Sequence, residues 1–174
     1  MLVFPILITE RLKFRQLTVD DFEALVELAN NRNISQQIVN IPYPFQEFNA
    51  VHRLSYVAEG FKTRQRFVFA IVCRDNDKFI GEISINIRNN TDEAEIGYWI
   101  GEPYWNNGYG SEAIAGISKF AFEILKLKTL FATVNKDNLP SIKALTNNDF
   151  KHIKKSGMTD VYIKYLGLSS GKKI

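Results

Sequence analysis

The stretch Tyr104-Trp105-Asn106-Asn107-Gly108-Tyr109-Gly110-Ser111-Glu112-Ala113 decides how this chain is read. It ends a strand-like run, places two glycines in a tight turn and opens an amphipathic helix, in which Ala113, Ile114, Ile117, Phe120, Ala121 and Ile124 recur at helical spacing. The first-turn N–H groups of such a helix have no intrahelical partner and lie at the positive end of its dipole. Gly108 and Gly110 let backbone approach a bulky anion, so the turn suits a phosphate or diphosphate. The competing reading is a glycine-rich strand-to-helix connection that only needs unusual backbone angles. The two commonest phosphate loops do not match. Gly110 is followed by Ser111-Glu112 and not by the Lys-Ser/Thr of a P-loop, and a Rossmann fingerprint needs a third glycine and an opening strand near the N-terminus.

At 174 residues, 45% of them hydrophobic, the chain suffices for one well-cored domain over 1–174, with a flexible tail expected at about 168–174. The formal charge of +3 is small and the basic residues are scattered, so nucleic acid is not an expected partner. Lone Cys73 sits in an apolar run and is expected to pack as a small hydrophobe in a reducing compartment. The apolar start Met1–Ile8 is short, contains Pro5 and lacks a basic leader region, so neither a signal peptide nor a membrane span is expected and the location is read as cytoplasmic. His52 and His152 are far apart, and no metal site is expected.

Leu12 and Phe14 alternate with Lys13 and Arg15 as in a half-buried strand over Glu10–Leu17. Thr18 and Asp21 form a capping box for a helix whose inward stripe is Phe22, Leu25, Val26 and Ala29. Residues 30–44 read as an irregular loop, and Phe48, Val51, Ala58 and Phe61 mark a second helix ending near Lys62. Three strands follow as a meander over Arg66–Arg74, Lys78–Arg88 and Glu93–Gly101, with Glu95, Gly97 and Trp99 on one parity. After the organising helix, Thr129–Val134 is a strand expected parallel to Glu93–Gly101. A short helix at Ser141–Asn147 and one or two strands over His152–Leu166 close the chain.

Trp105 through Ala113 resembles the acetyl-CoA diphosphate loop of the GCN5-related N-acetyltransferases, more narrowly the W-x-x-G-Y-A/G-S/T-E-A version of the RimJ/RimL branch of ribosomal-protein N-terminal acetyltransferases. Trp105 stands where the broad signature has Arg or Gln. Two further stretches are similar to that branch: Thr9-Glu10-Arg11-Leu12 through Asp21, and Asn138 through Phe150. In the latter, Asn147 replaces the usual Lys, and Asp149 replaces the usual Gly where a left-handed residue ends the helix.

The resemblance implies a mixed α/β fold of GNAT type, a largely antiparallel sheet with one splayed parallel strand pair and flanking helices. It implies acetyl-CoA as cosubstrate, without a metal. The diphosphate would lie on amides of Asn107, Gly108, Tyr109, Gly110 and Ser111, the thioester carbonyl on backbone amides near Trp99 and Ile100, and the pantetheine amides on Asn138. A bulge is implied near Gly97. Acetyl transfer to an amine needs a base for the acceptor and an acid for the departing thiolate. Glu95 is the candidate base, with Glu93 and Glu82 as rivals and a salt bridge or edge solvation as its plainer role. Ser141 is the candidate acid, although a serine at a helix start is commonly a cap. Tyr43 and Phe45 would line the acceptor pocket, unless the loop is simply pinned by its aromatics.

The acceptor stays open among a protein N-terminus, a polyamine and a small amine. Homodimerisation is compatible with the family, although no exposed stripe argues for it. A non-catalytic acyl-CoA sensor would keep the loop without needing Glu95 or Ser141.

Overall fold

A computed structural model describes residues 3–167, so the expected tail at about 168–174 lies outside the described residues. The strands are β1 (Leu7–Ile8), β2 (Leu12–Gln16), β3 (Arg66–Cys73), β4 (Phe79–Ile87), β5 (Glu93–Ile100), β6 (Thr129–Asn135), β7 (Lys151–Ser156) and β8 (Thr159–Tyr165). The helices are α1 (Phe22–Ala29), α2 (Arg32–Ser35), α3 (Glu47–Lys62), α4 (Tyr109–Glu123) and α5 (Leu139–Thr146). One sheet runs in the order β1-β2-β3-β4-β5-β6-β8-β7, antiparallel throughout except for parallel β5 and β6.

Each sheet face buries its own cluster, because alternate residues of a strand point to opposite faces. One cluster joins Phe14, Phe69, Ile83, Ile85, Ile96 and Ile100 to the inward stripe of α4, Ala113, Ile114, Ile117, Phe120 and Ala121. The other joins Val68, Ala70, Val72 and Trp99 to Leu25 and Ala29 of α1 and Ala50 and Val57 of α3. No helix among the described residues is long and apolar enough to cross a membrane.

Several local expectations take a sharper form. Thr18 opens a 3-10 turn, Val19–Asp21, before α1; its N–H donates to Asp21 Oδ2 at 2.9 Å, and Arg15 grips the same carboxylate with two bonds of 2.8 Å. The loop after residue 30 contains α2, capped by Asn31 Oδ1, which accepts from Asn33 and Ile34 N–H. Asp149 adopts φ +64°, the left-handed position otherwise suited to glycine. The bulge expected near Gly97 is absent: β4 and β5 pair without a shift from Gly81↔Ile100 to Ile87↔Ala94, and the irregularity lies between β3 and β4 at Ile71/Val72. Gly81, beside that irregularity, lets β4 and β5 approach closely, since a Cβ would sit 2.1 Å from the Trp99 carbonyl oxygen.

Candidate functional site

The turn before α4 is built from left-handed residues and side-chain ties. Asn106 has φ +62° and Gly108, the N-cap, φ +77°. Asn107 Nδ2 donates to the carbonyls of Tyr104 and Trp105, and Trp105 Nε1 donates to Ile100 O at 2.6 Å. The first intrahelical bond runs from Glu112 N–H to Gly108 O at 3.1 Å, so the amides of Tyr109, Gly110 and Ser111 lack a helical acceptor. A Cβ at Gly108 would meet only Arg11 Nη2, at 3.5 Å, so protein atoms do not fill the mouth of the turn. Gly110 also makes room for a ring. Its φ is not left-handed; a Cβ would lie 2.9 Å from Cε2 of Tyr98, which packs into the missing side chain.

Beside this turn the sheet opens. β5 and β6 pair only at Glu93↔Thr129, Ala94↔Leu130 and Glu95↔Phe131, after which they separate. Gly101 N–H bonds to Ile80 O of β4, so the alternation of an antiparallel strand turns the Trp99 amide toward β4 and those of Tyr98 and Ile100 toward the opening. Of the two amides expected to hold the thioester carbonyl, that of Ile100 faces the opening and that of Trp99 faces β4. The Trp99 indole is also committed elsewhere, donating to Glu82 Oε2 at 2.8 Å in the interior.

Two groups flank the opening from opposite sheet faces. On the α4 face, Tyr98 Oη donates to Ser141 Oγ at 3.1 Å. The cap of α5 is Asn138, whose Oδ1 accepts from Ser141 N–H at 3.2 Å, so the serine hydroxyl is not spent on capping, and the Asn138 oxygen is. Asn148 Nδ2 ties α5 to α4 through Ser111 O and Ser111 Oγ, each at 3.0 Å. Burial lifts the Tyr98 phenol above the ordinary tyrosine pKa, outweighing the opposing bond to Ser141. It stays a proton donor across the neutral range.

On the other face, Glu95 lies in the cross-strand row Arg66–Asn86–Glu95–Phe131. Nothing among the described residues hydrogen-bonds or ion-pairs with its carboxylate. Its rivals are occupied: Glu93 pairs with Arg88 at 3.1 Å, and Glu82, 2% exposed, takes Arg53 at 2.8 Å as well as the Trp99 indole. Gly97, the neighbour of Glu95 on that face, is exposed, with only Ser84 Oγ near its missing Cβ, at 3.5 Å.

The acceptor-side expectations divide. A cavity of about 330 Å³ is lined by Asn40, Pro42, Phe45, Asn49, His52, Arg53 and Tyr56. Phe45 contributes to it from the core, while Tyr43 stands 49% exposed under the Arg32 guanidinium and is not among the lining residues. Tyr56 stacks with Arg66 at 3.7 Å and Arg53 at 5.6 Å. These arginines are anchored on the rows either side of Ser84–Gly97, by Glu82 and by Asn86. Among the described residues no group of His, Cys, Asp and Glu is arranged to hold a metal. Burial pushes the Cys73 thiol up, in keeping with a packing role.

Sequence reasoning passed over Tyr98, Arg11, Glu112, Asn148 and the Arg53–Tyr56–Arg66 stack as site residues. Of these, Arg11, Glu112 and Asn148 carried a signal, since all three fall inside the quoted motifs.

The acetyltransferase (GNAT) domain model matches residues 11–151. An uncharacterized N-acetyltransferase of Bacillus licheniformis, p20, is 29% identical over 163 residues, spanning 92% of this chain and 89% of that protein. The solved structure of RimL, a ribosomal L7/L12 alpha-N-protein acetyltransferase in complex with coenzyme A, matches with a TM-score of 0.83 at 16% identity, covering 95% of this chain and 100% of that one. The microcin C7 self-immunity acetyltransferase MccE, in complex with acetyl-CoA and AMP, matches with a TM-score of 0.77 at 17% identity, covering 91% of this chain and 94% of the other.

Proposed function

The chain belongs to the acetyltransferase (GNAT) family, with acetyl-CoA as cosubstrate, and on that premise we propose that it acetylates a primary amine by direct attack in a ternary complex. The observation that carries this reading is the opening between β5 and β6, which has Ile100 N–H on its edge, the Gly108 turn alongside, and Glu95 and Ser141 on opposite faces.

The diphosphate rests on the amides of Tyr109, Gly110 and Ser111 at the mouth of α4. Asn107 holds the turn through its side chain, and Gly108 supplies the left-handed backbone. The pantetheine runs along the β5 edge past the Tyr98 amide and the unspent Asn138 Nδ2. Ile100 N–H donates to the thioester oxygen, a fixed dipole aimed where negative charge grows. A primary amine, with a pKa of about 8 at a peptide N-terminus and about 10.4 when lysine-like, arrives mostly protonated near neutral pH, and Glu95, unpaired and beside open Gly97, takes its proton directly or through water. Ser141 gives its proton to the departing thiolate on the other face and draws on the Tyr98 hydroxyl behind it. Positioning supplies much of the remaining rate.

The cavity at Phe45, Arg53 and Tyr56 is the entrance for the acceptor. Arg53 and His52 line it, Arg66 lies against Tyr56, and the carboxylate of Glu82 is already taken by Arg53. This charge balance disfavours a polycation and ranks a peptide N-terminus or a small amine ahead of a polyamine. The test is thiol release from acetyl-CoA across N-terminal peptides, polyamines and aminoglycosides. Release with at least one amine class is expected. A protein that binds acetyl-CoA, seen as a thermal shift, but releases no thiol with any of them is an acyl-CoA sensor instead.

A further inference from the structure

The turn that takes the diphosphate carries no Lys or Arg of its own between Tyr104 and Ala113, and it does carry Glu112, in the first turn of α4. A carboxylate there would repel the phosphates unless it were neutralised. The neutralising group comes from the other end of the chain. Arg11 Nε donates to Glu112 Oε2 at 2.7 Å, Arg11 N–H donates to Oε1 at 2.7 Å, and Thr9 Oγ1 donates to Oε1 at 2.6 Å. Arg11 Nη1 donates to Asn107 O at 2.9 Å, and the guanidinium stands 4.8 Å from the centre of the Tyr109 ring. These contacts use two of the five guanidinium N–H donors. Nη2 is left over, 3.5 Å from where a Gly108 side chain would begin, and the side chain is 46% exposed toward solvent.

We propose that Arg11 is a phosphate-binding residue of the acetyl-CoA site, its Nη2 hydrogens donating to a diphosphate oxygen at the Gly108 turn while Nε and Nη1 hold the turn in shape. The proposal rests on the reading that this turn takes the coenzyme. A fork clamped on two sides is already oriented, so little side-chain entropy is lost when the third side engages. Trp105, which stands at the signature's Arg or Gln position, spends its indole N–H on Ile100 O, so the cation reaches the turn from the N-terminal motif instead.

Calorimetry with coenzyme A and with 3′-dephospho-coenzyme A separates this role from a merely structural one. Arg11→Gln is expected to weaken both ligands by at least tenfold and by similar factors, because both carry the diphosphate. Arg11→Lys, which keeps the charge without the fork, is expected to recover part of the loss and guards against a misfolded glutamine variant. The deciding variant is Arg11→Gln/Glu112→Gln. If Arg11 only offsets Glu112, removing both restores wild-type affinity and the proposal falls; if Arg11 grips phosphate, the double variant stays at least tenfold weak. A loss confined to coenzyme A, sparing the dephospho form, also overturns it by moving the contact to the 3′-phosphate. Wild-type protein that takes up neither ligand overturns the reading of the turn itself, an outcome distinct from the others.

Discussion

Tyr98 and Ser141, 43 residues apart, share a hydrogen bond of 3.1 Å in which the phenol donates and the serine oxygen accepts. This leaves the serine proton pointing elsewhere, and it is possible because Asn138 caps α5 in the serine's place. Ser141→Ala is expected to lower turnover on the order of 10²-fold with little change in the Michaelis constant for acetyl-CoA. Tyr98→Phe keeps the ring in its slot against Gly110 and is expected to cost less. Stopped-flow rates of thiol release check both; Ser141→Ala turning over at the wild-type rate would remove the serine from the acid role.

The two glycines of the turn are expected to fail differently. Gly108→Ala forces a side chain into φ +77°, at a cost of about 1–2 kcal/mol, and is read as a 5- to 30-fold rise in the Michaelis constant for acetyl-CoA. Gly110→Ala instead pushes on the Tyr98 ring, which its Cβ would approach to 2.9 Å, and is expected to lower turnover more than it weakens acetyl-CoA. Steady-state kinetics on the pair decide the matter, since identical profiles would mean that Tyr98 plays no part.

Glu95 and Glu82 separate catalysis from stability. Glu95→Gln is expected to reduce turnover by about 10²-fold, with an unchanged melting temperature. Glu82→Gln leaves half-buried Arg53 without its anion and is expected to cost roughly 3 kcal/mol, a fall of about 6–12 °C in melting temperature. Should Glu95→Gln keep the wild-type turnover, another group is the base.

Burial pushes the Glu112 carboxyl up, but the bonds from Thr9 and Arg11 outweigh it, and its pKa lies below the ordinary value. A carboxylate depressed by folding stabilises the fold above its unfolded pKa of about 4.3, and that contribution is lost as pH falls through the folded value. The stability difference between wild type and Glu112→Gln in urea is therefore expected to hold steady near neutral pH and to shrink below about pH 4.5. A difference that persists undiminished to pH 3 contradicts the linkage.

What the sequence made legible was local. The stripe of α4, the Thr18–Asp21 box and the meander β3–β4–β5 follow from spacing within one segment, and each was found within a residue or two of its place, except that Ile124, expected in the stripe, falls just past α4 and is exposed. The parallel β5–β6 pair followed from strand–helix–strand order. Contacts that depend on sheet order were hidden. The opening Thr9–Leu12 motif and the Gly108–Glu112 turn read as two independent signals, yet they meet in a single ion pair across 101 residues. Tyr98 looked like one more strand aromatic, because its partners Gly110 and Ser141 arrive from two different helices. That the Trp99 amide faces β4 and the Ile100 amide the opening was hidden too, because amide direction depends on the β4–β5 register, which is not written in β5 alone.

The β5–β6 join, only three residue pairs long, makes the sheet two panels meeting at a short seam: β1 to β5 on one side, and β6, β8 and β7 on the other. Amides along the unzipped portion, those of Tyr98 and Ile100 among them, have no ladder to protect them and should exchange with deuterium quickly in the empty protein. Occupancy by the cosubstrate then acts as a substitute strand, knitting the panels together and slowing exchange on both margins at once.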